Sequence, residues 1–346
     1  MRLLDCGNDN RPCEYNQYVP FWHISRNIFI KPVFYALVAS ICCLASGCAP
    51  QFITPDSSPK MSDSSPSIES ARFISFDGAS LPLRRWLPPG KPTAIIVALH
   101  GFNDYSNFID AAAHYFNQQG IAVYAYDQRG FGQSPHRGRW PGKEALARDA
   151  RLFVQRLHAR FPDKPLFLLG HSMGAAVALY ALASGPLPVN GVILAAPAIW
   201  GWSSMPWWQR WGLKLAAHTM PWKTFTGESQ HITASDNRDM LIALGRDPLV
   251  IKQTRVDAIY GLVNLMEAGF RAAAKLHTPT LALYGDRDEV IPAAPIMDAF
   301  GSLARSRSTL QFRRYKNGYH MLLRDLQAEV VWRDIVSWIR QRHNRP

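Results

Sequence analysis

From residue 71 onward, short apolar runs alternate with longer stretches in which apolar residues recur at helical spacing, a pattern that predicts strands separated by helices. Residues 71–76 and 81–87 flank Asp77-Gly78, a hairpin signal, and predict two antiparallel strands at the start of the sheet. Unbroken apolar runs at 93–99, 121–126, 165–169, 191–195 and 280–284 predict strands covered on both faces, and 309–315 a last one. Helices are expected at 106–119, closing at Gly120, at 143–161, where Ala147, Ala150, Phe153, Val154 and Leu157 fall on one face, and at 323–340. The stretch between the strands at 191–195 and 280–284 does not read as a strand–helix unit, so an insertion is expected there, at about 198–274. The fold class that follows is α/β: a mostly parallel sheet with helices on both faces and an inserted helical cap. No internal repeat is visible.

The amino terminus follows a different pattern. An apolar run at 33–45 is preceded by Arg26 and Lys31 and followed by Ser46-Gly47-Cys48, the layout of a secretory signal. The run is too short for a membrane-spanning helix, which needs about 18 residues or more. Leu44-Ala45-Ser46-Gly47-Cys48 resembles the lipobox of bacterial lipoproteins, which implies cleavage before Cys48 and acylation of its thiol. Ala49, rather than an aspartate, follows the cysteine, and in that resemblance it points to the outer membrane of a bacterial cell envelope, with the inner membrane as the alternative. Residues 49–70 are rich in Ser and Pro without apolar periodicity and read as a disordered tether. The expected organisation is a leader at 1–48, a tether at 49–70 and a catalytic domain at 71–342.

Composition narrows the chemistry. At 47% hydrophobic and 18% charged residues the chain can bury a sizeable core. A formal charge of +12 invites a nucleic-acid reading, but Lys and Arg are scattered and not interleaved with aromatics, so nucleic-acid binding is set aside. A basic surface suits an anionic lipid surface, and equally suits simple solubility. All five cysteines (Cys6, Cys13, Cys42, Cys43, Cys48) precede residue 49, which excludes disulfide, zinc-thiolate and cysteine-nucleophile chemistry from the rest of the chain.

Gly170-His171-Ser172-Met173-Gly174 satisfies G-x-S-x-G, and it follows an apolar strand and precedes a small-residue helical run, the strand-to-helix elbow in which such a serine is exposed. A serine hydroxyl is a weak nucleophile at neutral pH, so Ser172 needs a base and the base needs an orienting acid. His320, in Asn317-Gly318-Tyr319-His320-Met321, lies just past the last strand, on the sheet edge where open α/β sheets bind ligands. His171 is expected to point away from the nucleophile, His100 to fix a loop, and His218, His231 and His277 to lie in the insertion or at its exit with surface roles. The strand before the acid position ends in 284–292, which offers Asp286, Asp288 and Glu289. The amides of Met173, next to the nucleophile, and Phe102, in the loop after the third long strand, are the expected oxyanion hole.

Together, His100-Gly101-Phe102, residues 127–134, Gly170–Gly174, Gly285-x-x-Asp288 and Gly318-Tyr319-His320 resemble the monoacylglycerol lipase and lysophospholipase branch of the α/β-hydrolases, over about 71–342. The spacing Gly285-x-x-Asp288 selects Asp288 as the acid and leaves Asp286 and Glu289 as loop caps or partners of Arg287. Arg246-Asp247-Pro248-Leu249 resembles a cap segment of that branch. The resemblance implies a serine esterase that uses no metal or organic cofactor and acts on a lipid ester, a monoacylglycerol or a lysophospholipid. A short-chain esterase, thioesterase or acyltransferase on the same triad is the alternative, and a lipid-binding envelope module without turnover is a third. A serine at the elbow argues against the epoxide hydrolases and dehalogenases of this fold, which use aspartate.

Six of the eleven tryptophans fall between Trp200 and Trp222; Trp207, Trp208 and Trp211 lie at helical spacing, and Leu213, Leu215 and Ala216 continue an apolar surface. This stripe is expected to pack inside the cap, with a substrate groove or a lipid-facing surface as the alternative. A membrane surface, reached through the acylated amino terminus, is the other expected partner; the oligomeric state is not legible.

Overall fold

The computed structural model describes residues 49, 50, 52, 66–226, 232–301 and 303–343. The leader, Cys48, most of the tether and His231 lie outside these residues. The strands are β1 (Ser67–Ile68), β2 (Arg72–Ile74), β3 (Ser80–Trp86), β4 (Ala94–Leu99), β5 (Ile121–Tyr126), β6 (Leu166–His171), β7 (Gly191–Ala195), β8 (Thr224–Thr226), β9 (Gln253–Arg255), β10 (Thr280–Gly285) and β11 (Leu310–Tyr315). Nine of them form one sheet in the order β1-β2-β3-β5-β4-β6-β7-β10-β11. Pairing is antiparallel up to the β3–β5 edge and parallel beyond it. Ser67–Ile68, at the end of the expected tether, pair with Phe73 and Ile74 and so belong to the sheet.

The helices are α1 (Asp110–Gln118), α2 (Lys143–Arg160), α3 (Met173–Ala183), α4 (Trp207–Thr219), α5 (Arg238–Arg246), α6 (Val256–Ala273) and α7 (Ala328–His343). Along β4, Ile95, Val97 and Leu99 face a core layer shared with α2, α3 and α6, whereas Ile96 and Ala98 face a second layer shared with α1 and α7. Two covered faces are the reason that the central strands carry no polar alternation. The hairpin of β2 and β3 is tied to α2 by Arg129, which bridges Asp77 in the turn at 2.6 Å and the fully buried Asp149 at 2.5 Å. Ser75 adds a hydrogen bond to the same Asp149 carboxylate.

Two expectations need correction. The closing helix begins at Ala328 rather than near residue 323, because the backbone before it is engaged elsewhere: the Met321 amide donates to the Ala234 carbonyl and the Leu326 amide to Asp236. The tryptophan stripe does not pack inside the cap. Trp207, Trp208, Trp211 and Leu215 on α4 are 60–69% exposed, and Met220, Trp222 and Phe225 beyond the helix continue the apolar surface. Leu213 on the same helix is half-buried against the core, as are Trp200 and Trp202, the latter with its indole N–H donating to Asn264 Oδ1 at 2.7 Å.

Candidate active site

The parallel register sets the carboxyl ends of β4, β6 and β7 side by side, with Leu99 opposite Gly170 and His171 opposite Ala195. The chain must turn sharply from β6 into α3. Ser172 takes that turn in a left-handed conformation, φ 52° and ψ −116°, which is costly for a residue with a Cβ and holds the hydroxyl out of the elbow. A Cβ at Gly174 would stand 2.1 Å from the Leu99 carbonyl oxygen, so glycine there lets α3 start against the end of β4. The Ser172 amide donates to the Ala195 carbonyl at 3.0 Å, which pins the turn from the other side.

His320 arrives on the turn after β11. Its Nε2 accepts from Ser172 Oγ at 2.9 Å, and its Nδ1–H donates to Asp288 Oδ2 at 2.8 Å. The second oxygen of Asp288 accepts the amides of Val290 and Ile291 at 2.8 and 2.9 Å, so the carboxylate is fixed by its own loop. The three side chains are buried, at 9% exposure for Ser172, 8% for Asp288 and 5% for His320. In this geometry the carboxylate holds the proton on Nδ1, and the Nε2 lone pair faces the hydroxyl.

Among the described residues, the Phe102 and Met173 amides have no hydrogen-bond partner within the chain. Met173 opens α3, where the first amides of a helix are without intrahelical acceptors and the dipole favours negative charge. Phe102 sits in the loop after β4, packed edge-on against Phe131 at 5.6 Å between ring centres. That loop is braced by the cap: the Ile251 amide donates to the Asn103 carbonyl at 2.9 Å, Asn103 Nδ2 to Thr254 Oγ1 at 2.7 Å, and Tyr105 Oη to Asp247 at 2.8 Å. Asp247 of the Arg246-Asp247-Pro248-Leu249 segment therefore joins the cap to the loop that carries the Phe102 amide.

The remaining candidates divide. His100 is wholly buried; its Nε2 accepts the Gln128 amide at 2.9 Å and its Nδ1–H donates to the Gly101 carbonyl at 2.8 Å, so both ring nitrogens hold loops. Burial pushes its pKa down and keeps it neutral. Asp286 pairs with Arg314 at 2.7 Å and not with Arg287, which reaches Tyr319 instead. Glu289 accepts the Thr233 amide at 2.7 Å. His218 and His277 are exposed, as expected.

The His171 ring stacks on Phe108, 6.0 Å between centres, and lies beside the base, its ring centre 5.3 Å from that of His320, with Nε2–H donating to the His320 carbonyl at 3.0 Å. Burial, reinforced by His320, pushes its pKa down to about 3, so it is neutral wherever the base works. Spacing along the chain carries no sign of this contact, which spans 149 positions.

A nucleophile elbow, a base and acid from later strands, and two amides at the elbow define a serine hydrolase of the α/β-hydrolase fold. The chain matches the family described as serine aminopeptidase, S33, over residues 90–327, and it belongs to that family. Monoglyceride lipase of Mus musculus is 29% identical over 78% of this chain and 90% of its own length. Monoacylglycerol lipase of Mycolicibacterium smegmatis is 25% identical over 77% of this chain and 95% of its own. Among solved structures, a soluble variant of monoglyceride lipase from Saccharomyces cerevisiae in complex with a substrate analogue superposes with a TM-score of 0.66 at 18% identity, covering 84% of this chain and 99% of that one. At that identity the superposition speaks for the fold alone.

Proposed function

We propose that the chain is a carboxylic ester hydrolase that cleaves single-chain lipids, a monoacylglycerol or a lysophospholipid, through an acyl-enzyme on Ser172. The observation that carries the reading is the relay of Ser172 Oγ to His320 Nε2 at 2.9 Å and His320 Nδ1 to Asp288 at 2.8 Å, beside two unengaged amides. Ser172 Oγ attacks the ester carbonyl as His320 takes its proton, and the Phe102 and Met173 amides hold the negative oxygen, each worth about 2.7–4 kcal/mol in the transition state. The protonated imidazole, held by Asp288, returns the proton to the leaving alcohol. Water activated by the same base then releases the fatty acid.

The same chemistry would open an amide, and the family carries a peptidase description. The lipid reading is favoured by the lipase relatives and by the exposed tryptophan face. Purified protein is expected to turn over monoacylglycerols or lysophospholipids at least about tenfold faster, in kcat/KM, than short-chain p-nitrophenyl esters, a preference that about 1.4 kcal/mol of acyl-chain binding supplies. Faster cleavage of an amino-acid p-nitroanilide than of any ester would overturn it.

The cap face also fits a membrane. Indole rings that are apolar with one polar N–H favour the lipid interface, and Arg210, Lys214 and Lys223 stand among them with charge suited to anionic headgroups. The double variant Trp207→Ser/Trp211→Ser is expected to bind anionic phospholipid vesicles about tenfold more weakly or worse, because each indole offers well over the area that 1.4 kcal/mol requires. Hydrolysis of a short soluble ester should stay within about twofold, since Trp207 and Trp211 are 69 and 68% exposed and take no part in the hydrogen bonds of the relay. Unchanged sedimentation with vesicles would exclude this surface as the docking face. The lipobox-like Leu44–Cys48 supports an acylated Cys48 that anchors the domain in the bacterial cell envelope, at the outer membrane on the strength of Ala49.

A further inference from the structure

A base carried on a turn needs its backbone fixed as well as its ring, because catalytic groups must be held to about 0.5 Å. The backbone around His320 is held by two buried side chains, at its own carbonyl and at the amide of the residue before it. The His320 carbonyl accepts from His171, as described. On the other side, the Tyr319 amide donates to Asp325 Oδ2 at 2.8 Å. Asp325 is 4% exposed, and its other oxygen, Oδ1, accepts from Ser235 Oγ at 2.6 Å.

Ser235 belongs to the insertion, 90 positions away in the chain. The residues around it run alongside the turn that carries the base. Besides the Met321–Ala234 and Leu326–Asp236 bonds, Asn237 Nδ2 donates to the Arg324 carbonyl at 3.0 Å. One residue before Ala234, the Thr233 amide donates to Glu289, the neighbour of the acid.

A carboxylate this deep is costly unless hydrogen bonds compensate it, and burial does push the Asp325 pKa up. Among the described residues, its carboxylate accepts from the backbone beside the base and from a cap hydroxyl. What the buried charge stabilises is therefore the placement of one relative to the other.

We propose that Asp325 is a positioning residue that fixes His320 through the Tyr319 amide and, by sharing its carboxylate with Ser235, makes the alignment of the base depend on how the cap is seated. The proposal rests on the assignment of His320 as base. An asparagine at 325 supplies one acceptor oxygen and one amide group in place of two acceptor oxygens, so it can satisfy the Tyr319 amide or the Ser235 hydroxyl as before, but not both.

The test compares Asp325→Asn, Ser235→Ala, the double variant and His320→Ala on a soluble p-nitrophenyl ester, with kcat and KM measured separately, labelling by a fluorophosphonate probe and thermal unfolding in parallel. Asp325→Asn is expected to lower kcat about 10- to 100-fold with KM within about twofold, the signature of a misaligned base and not of a lost substrate contact. Ser235→Ala, which keeps the Tyr319 bond, should lower kcat by a smaller factor, again without a change in KM. In the double variant the serine effect should vanish, because it acts through the carboxylate.

Folded Asp325→Asn with unchanged kcat would overturn the proposal, and additive losses in the double variant would overturn the link to the cap. If Asp325→Asn does not fold, Ser235→Ala decides alone: loss of kcat supports the proposal, and wild-type kcat overturns it. An active His320→Ala would instead bring down the assignment of the base, whereas inactive His320→Ala beside fully active Asp325→Asn would remove the positioning role only.

Discussion

Ser172→Ala should fold as the parent does and lose on the order of 10^6-fold in kcat for ester hydrolysis, together with all labelling by a fluorophosphonate probe. The expected size follows from what is removed. His320 and Asp288 act on substrate only through the Ser172 oxygen, 2.9 Å from the imidazole, so without it the base has no nucleophile to activate and the pair is idle. The residual rate would come from the Phe102 and Met173 amides and from binding alone. Stability should change little, because alanine keeps the Cβ and the Ser172 amide bond to Ala195, and the strained turn remains as it was. The measurement is probe labelling on a gel beside a circular dichroism melt. A folded Ser172→Ala variant that is labelled like the parent would place the nucleophile elsewhere and remove the basis for the proposed function.

The parts of this site that lie at strand ends were legible in the sequence. β4, β6, β7 and β10 carry runs buried on both faces, so their apolar residues are continuous and their ends are marked by the first polar or glycine residues, which are where His100, Ser172 and the Asp288 loop begin. Asp288 could not be separated from Asp286 and Glu289 by that logic, since all three follow the same strand; family spacing separated them, and the hydrogen bonds agree in giving Asp286 to Arg314 and Glu289 to Thr233. The two-residue β1 was not legible, because Ser67 and Ile68 pair by backbone and carry no alternation of their own.

The cap was legible in period and not in environment. The helical spacing of Trp207, Trp208, Trp211 and Leu215 identifies residues that share a face, but it is silent on what the face meets, and here it meets solvent. The start of the last helix was placed too early for a related reason. The apolar residues Leu322 and Leu323 are buried as the pattern suggests, yet their neighbours spend hydrogen bonds on residues 234–237, and a helix cannot form from a backbone that is already engaged. The His171–His320 and Asp325–Ser235 contacts belong to the same class: each joins residues 90 or more positions apart, and no local pattern reports them.

Asp288→Asn is expected to lower kcat about 10^4-fold while KM and the fold are kept. Three N–H groups converge on this carboxylate, His320 Nδ1–H on one oxygen and the Val290 and Ile291 amides on the other. An asparagine has one oxygen and one NH2 group. If the oxygen faced His320, the NH2 would meet two buried amide donors and leave both without an acceptor, at about 1–3 kcal/mol each. The oxygen therefore stays with the amides and the NH2 faces Nδ1, which can then serve only as acceptor. The imidazole must carry its proton on Nε2, the nitrogen that faces Ser172, and a protonated Nε2 cannot take the serine proton. The loss is one of tautomer and not of shape, which is why the melting curve and KM should not move. Asp286→Asn is the control: its carboxylate is held by Arg314 at the surface, and exposed pairs contribute little, so kcat should stay within about threefold. The reverse outcome, an active Asp288→Asn beside an inactive Asp286→Asn, would transfer the role of the acid to Asp286 and show that the carboxylate now seen against His320 is not the one that orients it during turnover.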